Sequence, residues 1–309
     1  MPRPHIEPYV EVDQPYRPFR LRGFARGAHY KLLSVDPDTG ACSLKMRFDA
    51  GYRRPPGYSW SDLEIFVLRG SVRIGGDAVG EGHYLFLPAG YALGALSSPG
   101  GFEALMLYND GEPTFVESAE HHPWALLPAF VSTNGYEQGP WIMQARYQPG
   151  VATGCCVKPL RVDPLTGATT FLYTMAPRYA QHNISYHDCT EESYHVWGTS
   201  WMLQFGEIPT GGYFWRPPYI NHGSFASRSG CIALGRTGSE LYNYFHYNPW
   251  TTPDDNAARA AAAVYRKRPQ VWGWVAAEGH NHPHGPADFE VPGSGAAPAG
   301  SPRRRARTG

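Results

Sequence analysis

Short apolar segments that alternate with polar residues recur along most of the chain. From Lys31 they read ACSLKMRF, EIFVLRGSVRI, HYLFLP and ALMLYND, each bounded by Gly, Pro, Asp or Asn. That is the pattern of short strands in an all-β domain. A second set follows: ATTFLYTM, ESYHVWGTSWMLQF, GYFWRP, SGCIALG and LYNYFHYN. The pattern predicts a Pro- and Arg-rich arm over residues 1–28, laid over a neighbouring sheet, and a first β domain over 29–120. A connector with Pro and Trp (HHPWALLPAF) fills 121–150, and a second β domain spans 151–252. Helical composition occurs only at residues 254–268 (DDNAARAAAAVYRKR), where alanines follow an acidic start, so one helix is predicted within 253–275. The Gly-, Pro-, Ala- and Arg-rich remainder, 276–309, is predicted to be disordered, and its GHNHPHG reads as solvated linker rather than a metal site.

The two sets of strands are copies of one another. KLLSVDPDTGACSLKMRFDAGYRRPP from Lys31 is echoed by KPLRVDPLTGATTFLYTMAPRYAQHN from Lys158. GHYLFLPAGYALGALSS from Gly82 is echoed by GGYFWRPPYINHGSFAS from Gly211. Self-similarity held in register over such a span marks an internal duplication. The copies differ where chemistry is concerned: Leu93 in the first stands where His222 stands in the second. One copy reads as scaffold and the other as a site.

Within each copy two blocks carry a family resemblance. Gly82, five residues on, leads to Pro88-Ala89-Gly90, and Gly211 leads likewise to Pro217, with Tyr219 in place of the glycine and His222 three residues beyond. Counting back from Gly198 places Glu191, His187 and Ser185 at spaced polar positions, and counting back from Gly70 places Leu63, Ser59 and Gly57 there. These blocks resemble the cupin motifs G(X)5HXH(X)3-4E(X)6G and G(X)5PXG(X)2H(X)3N over roughly residues 30–250. The resemblance implies two tandem jelly-roll barrels, a bicupin, whose interiors hold a metal or a small ligand. Its ligand positions are empty of ligand chemistry in the first copy (Gly57, Ser59, Leu63, Leu93), which implies a degenerate barrel. In the second copy they hold His187, Glu191 and His222, with Ser185 in the fourth position and His182 as a substitute fourth ligand if the intervening strand bulges.

Two imidazoles and a carboxylate leave open coordination positions, as in non-haem Fe(II) sites that bind substrate and oxygen together. Fe(II) is the favoured cofactor, but zinc, manganese or nickel would accept the same set. A ligandless barrel using these side chains as polar pocket groups is the alternative. A shift of one residue reverses the face of a strand. Glu64 is therefore expected to point out of its barrel or to pair with a nearby arginine, and Glu192, its counterpart, is the structural rival to Glu191. His195 shares parity with Glu191 and is a candidate for orienting substrate, or a packed core histidine. Tyr186, Tyr194, Tyr213, Trp215 and Tyr219 are expected to give the second barrel an aromatic lining suited to an aromatic or polyketide-like molecule.

Composition narrows the function classes. At 309 residues the chain has room for two cores. Zero net charge with only 17% charged residues carries no footprint for nucleic acid. No apolar run approaches the ~20 residues of a membrane span, and the N-terminus shows no export signal. Five cysteines, an odd number with Cys155 and Cys156 adjacent, suit reduced thiols in a cytoplasm. The expected partner is a small-molecule substrate, with a homodimer allowed. The favoured activity is a metal-dependent enzyme, foremost an Fe(II) dioxygenase acting on a small carbonyl, phenolic or diketone metabolite. A non-redox lyase, isomerase or cyclase and a binding protein without turnover are its rivals.

Overall fold

The computed structural model describes residues 3–148, 150–203 and 205–245. The helix expected within 253–275 and the tail beyond it lie outside the described residues. Within them the regular structure is strand, with three short 3-10 turns and no α-helix. No described helix is long and apolar enough to cross a membrane.

The duplication in sequence is a duplication in architecture. One seven-stranded antiparallel sheet runs Val131–Asn134, His83–Leu87, Leu63–Gly70, Phe102–Tyr108, Cys42–Phe48, Ala28–Val35 and Arg17–Pro18. The other runs Ile6–Val10, Gly212–Arg216, Glu191–Gly198, Cys231–Thr237, Thr169–Met175, Cys155–Val162 and Ile142–Met143. Position by position the two orders correspond. Each large sheet has a smaller companion, of four strands in the first copy and five in the second, giving the two tandem jelly rolls of the cupin fold. The arm contributes across the molecule: Ile6–Val10 pairs with Gly212–Arg216 of the second copy.

The repeated Asp-Pro-x-Thr-Gly-Ala motif shows how sequence dictates this. The Asp36 carboxylate accepts the amides of Asp38 and Thr39 at 2.9 and 3.3 Å, and Asp163 accepts those of Leu165 and Thr166 at 2.9 and 3.0 Å. Gly40 and Gly167 then take φ of 78° and 72°, open to glycine at little steric cost. The same turn therefore returns the chain into the sheet twice.

Both faces of each large sheet are covered. One face lines its own barrel, and the other packs against the second large sheet. Leu33, Phe66, Tyr84, Phe86, Leu105 and Leu107 meet Leu160, Leu172, Tyr194, Tyr213, Trp215 and Leu234 there in one apolar cluster. A buried polar network crosses the same layer. Glu64 accepts from Tyr84 (2.7 Å), Asn109 (3.0 Å), Thr170 and Arg236 Nε (3.1 Å), and Arg236 Nη1 donates to Glu192 at 2.7 Å. Glu64 thus points out of its barrel and pairs with an arginine of the other copy.

Candidate metal centre

Glu191 opens the strand Glu191–Gly198, His222 opens His222–Ser227, and His187 immediately follows Tyr179–Tyr186. Strand pairing sets Ser185 opposite His222, as the isolated bridge in the first copy sets Gly57 opposite Leu93. The three side chains converge with ligand atoms all within 4.8 Å of one another. His187 Nε2 lies 3.1 Å from His222 Nε2 and 3.8 Å from Glu191 Oε1, and His222 Nε2 lies 3.6 Å from Glu191 Oε2. Both imidazoles are buried, and Glu191 is partly exposed.

The outer nitrogens decide what this arrangement can hold. His187 Nδ1 sits 2.9 Å from the carbonyl of Tyr242, and His222 Nδ1 sits 2.8 Å from the carbonyl of Ile220. A carbonyl only accepts, so both protons reside on Nδ1. Burial pushes His222 down to about 3, against the opposing pull of Glu191, so its ring is neutral near neutral pH. With each Nδ1 occupied by a carbonyl, both Nε2 atoms are turned towards each other and towards a carboxylate. Such a set is complementary to a cation. Donors bound at about 2.1 Å and at right angles would stand roughly 3 Å apart, close to the separations found. Histidine ligands are commonly fixed in tautomer by this kind of outer hydrogen bond. The Glu191 carboxyl lies below its ordinary value: burial raises it, but His187, His222 and the Arg216 guanidinium close around it more than offset this.

Arg216 is a member of this cluster that the motifs do not flag. It lies directly across from Glu191 in the strand pair, is 2% exposed, and donates from Nη1 to Glu191 Oε2 at 3.3 Å. Its counterpart is Leu87, which faces Leu63 in the first copy. Comparing the copies strand by strand was the signal that could have found it. His195 points into the same barrel, with Nε2 2.7 Å from Ser200 Oγ, and burial lowers it to about 4, which keeps it neutral. The cavity bounded by these groups is about 80 Å3, whereas the matching space in the first copy is about 10 Å3.

A family model described as "Domain of unknown function (DUF4437)" matches residues 18–244. The chain belongs to the DUF4437 family. No curated protein matches the sequence. Among solved structures, this DUF4437 chain is similar to a "putative dioxygenase" from Nostoc punctiforme PCC 73102. That likeness has 21% identity and a TM-score of 0.71 over 80% of this chain and 88% of the other. It is also similar to oxalate decarboxylase from Bacillus subtilis, at 15% identity and a TM-score of 0.52, covering 77% of each chain. At these identities the likeness is one of fold, and it supports the cupin jelly roll.

The expected aromatic lining is not where the sequence places it. Tyr194, Tyr213 and Trp215 belong to the cluster between the two large sheets, because they alternate with the inward-facing Ser193, His195, Phe214 and Arg216. Their hydroxyls are committed there, Tyr194 to Glu11 at 3.0 Å and Tyr213 to Glu192 at 2.7 Å. Tyr219 is 68% exposed on a turn, where its amide donates to the His187 carbonyl at 2.7 Å. Tyr186 stacks on Tyr244 at 5.2 Å. The rings that do bound the cavity in this DUF4437 chain include Phe171, Tyr173, Phe214 and Phe225. His182 lies beside the register irregularity between Gln181 and Ile184, the bulge its role would need, yet it stays outside the converging group.

Proposed function

We propose that the second jelly roll is a metal-dependent enzyme centre with His187, Glu191 and His222 as the protein ligands. The division proposed is a first barrel over 29–120, degenerate in its ligand positions, and a metal-binding barrel over 151–252. The observation that carries this reading is the convergence of two Nε2 atoms on one carboxylate, with each ring held at Nδ1 by a backbone carbonyl. Fe(II) is the favoured ion and dioxygenation of a small carbonyl, phenolic or diketone compound the favoured reaction. Three ligands leave positions open on such an ion, and when bound it would polarise substrate oxygens and support oxygen chemistry. The carbonyls of Tyr242 and Ile220 fix the two rings, and Arg216 limits the charge that Glu191 brings into the barrel. His195 offers a neutral, buried nitrogen for hydrogen bonding to substrate. Five unpaired cysteines support a reducing, cytoplasmic setting.

Oxygen uptake by the Fe(II)-loaded protein tests the reading, using a panel of small diketones, phenols and oxo acids. Uptake matched to substrate loss, and abolished by His222→Ala, is the expected result. Full turnover under strict anaerobiosis, or with zinc in place of iron, would refute dioxygenation and favour a lyase, isomerase or cyclase. Tight binding without turnover would favour a binding protein.

A further inference from the structure

Arg216 carries more hydrogen-bonding capacity than its surroundings use. A guanidinium has five donors in a rigid fork and stays charged in proteins. Here Nη1 reaches one Glu191 oxygen at a long 3.3 Å, Nη2 reaches the thioether sulfur of Met202 at 3.1 Å, and buried Nε has no partner. The guanidinium also lies over the Phe214 ring at 4.0 Å, and Glu7 adds a more distant opposite charge. A thioether is a weak acceptor, so a buried cation bounds the cavity with little to satisfy it. Buried charges of this kind are costly unless paired and hydrogen-bonded.

The duplication indicates that barrel packing does not require this residue. In the first copy the same barrel closes with Leu87 across from Leu63. Its other equivalents, Val67 for His195 and Leu93 for His222, are also apolar. Arg216 therefore differs between the copies together with the donor cluster, as a group belonging to the chemistry of the cavity. His195 is a second underused group there: with Nε2 on Ser200 Oγ, its buried Nδ1 has no partner.

We infer that the cavity takes a small carboxylate, both oxygens held by the fork of Arg216, with His195 bonding a further polar atom of the same molecule. This rests on the metal-centre reading in one respect. With a divalent cation in place, the cation and Arg216 outweigh Glu191 even with Glu7 near the guanidinium, so an anionic ligand completes the charge balance. The fork geometry selects carboxylate over a neutral carbonyl, because two parallel N–H donors match two carboxylate oxygens. A cavity of about 80 Å3 is well below the roughly 300–1,000 Å3 of drug-sized sites, so the acid should have few heavy atoms.

Calorimetric titration of the full chain with pyruvate, and with its neutral counterpart pyruvamide, tests the inference. It is run on zinc-loaded and metal-free protein, with metal content measured in parallel. Wild type is expected to bind pyruvate at least tenfold more tightly than pyruvamide. Arg216→Leu should erase that preference, and Arg216→Lys, which keeps the charge without the fork, should retain part of it while metal content is unchanged. Equal binding of the two probes by wild type would overturn the inference without any variant, and so would a preference unchanged in both variants. Metal uptake with no carboxylate preference leaves the metal reading standing and removes this one. An Arg216-dependent preference in protein that takes up no metal does the reverse.

Discussion

Glu191 and Glu192 are adjacent in sequence and serve opposite faces of one sheet. Glu191 turns into the barrel, 3.8 and 3.6 Å from the Nε2 atoms of His187 and His222. Glu192 turns into the layer between the two large sheets, where Arg236 donates to it at 2.7 Å and Tyr213 at 2.7 Å. Glu191→Ala is therefore expected to cut metal affinity by at least 100-fold with the melting temperature of the apo-protein little changed. Glu192→Ala should retain metal and lose about 2–3 kcal/mol of stability. That is at or below the low end of the cost of breaking a buried pair, because Glu64 still faces Arg236. Elemental analysis paired with denaturant melts separates the two. The opposite assignment would mean that the functional face is the inter-sheet one.

The Glu64–Arg236–Glu192 network sets an acid limit on stability. Burial raises both carboxyls, but the charge of Arg236 and hydrogen bonds from Thr170 and Tyr84 to Glu64, with Arg3 and Tyr213 helping at Glu192, bring each below 4.5. A carboxyl depressed in the folded state contributes stability that is fully present above its unfolded value and is lost as pH falls through the folded one. The melting temperature should therefore hold above about pH 4.5 and decline below it, and Glu64→Gln should flatten that decline. A Glu64→Gln curve parallel to wild type would assign the acid limit to other groups.

Glu11 ties the N-terminal arm to both copies. It is buried and accepts from Lys31, from Lys45 at 2.7 Å and from Tyr194 at 3.0 Å. Glu11→Ala leaves Lys31, 7% exposed, without its carboxylate, at a cost of about 3–5 kcal/mol. Chemical denaturation should show this loss, with metal content at saturating metal unchanged.

Much of this molecule is legible from the repeat. Aligning the copies places the strands, pairs Ser185 with His222 as Gly57 pairs with Leu93, and separates the polar interior of the second barrel from the apolar interior of the first. The aromatic residues are harder to place, because these sheets are covered on both faces and large rings suit either side. Alternation assigns Tyr194, Tyr213 and Trp215 to the inter-sheet face once Glu191 and Arg216 are fixed inward. Composition alone draws them towards the pocket. Arg216 escapes motif reading for a different reason: it precedes the Pro217 anchor and shows only against Leu87. The partners of Glu64 and Glu192 depend on how the two sheets face each other, which no local pattern encodes.

First-copy residues offer a control for the asymmetry between the barrels. Ser59 occupies the position of His187, and its hydroxyl lies 3.2 Å from Thr114 Oγ1 and accepts the Ser61 amide at 3.0 Å. Ser59→Ala is expected to leave metal content unchanged, as measured by elemental analysis.

The central claim is a single metal centre built by His187, Glu191 and His222, and metal stoichiometry tests it most directly. Protein purified under metal-replete conditions should carry one divalent ion per chain, and His187→Ala, Glu191→Ala and His222→Ala should each carry none. Two ions per chain, no ion in wild type, or full occupancy in the three variants would contradict the account.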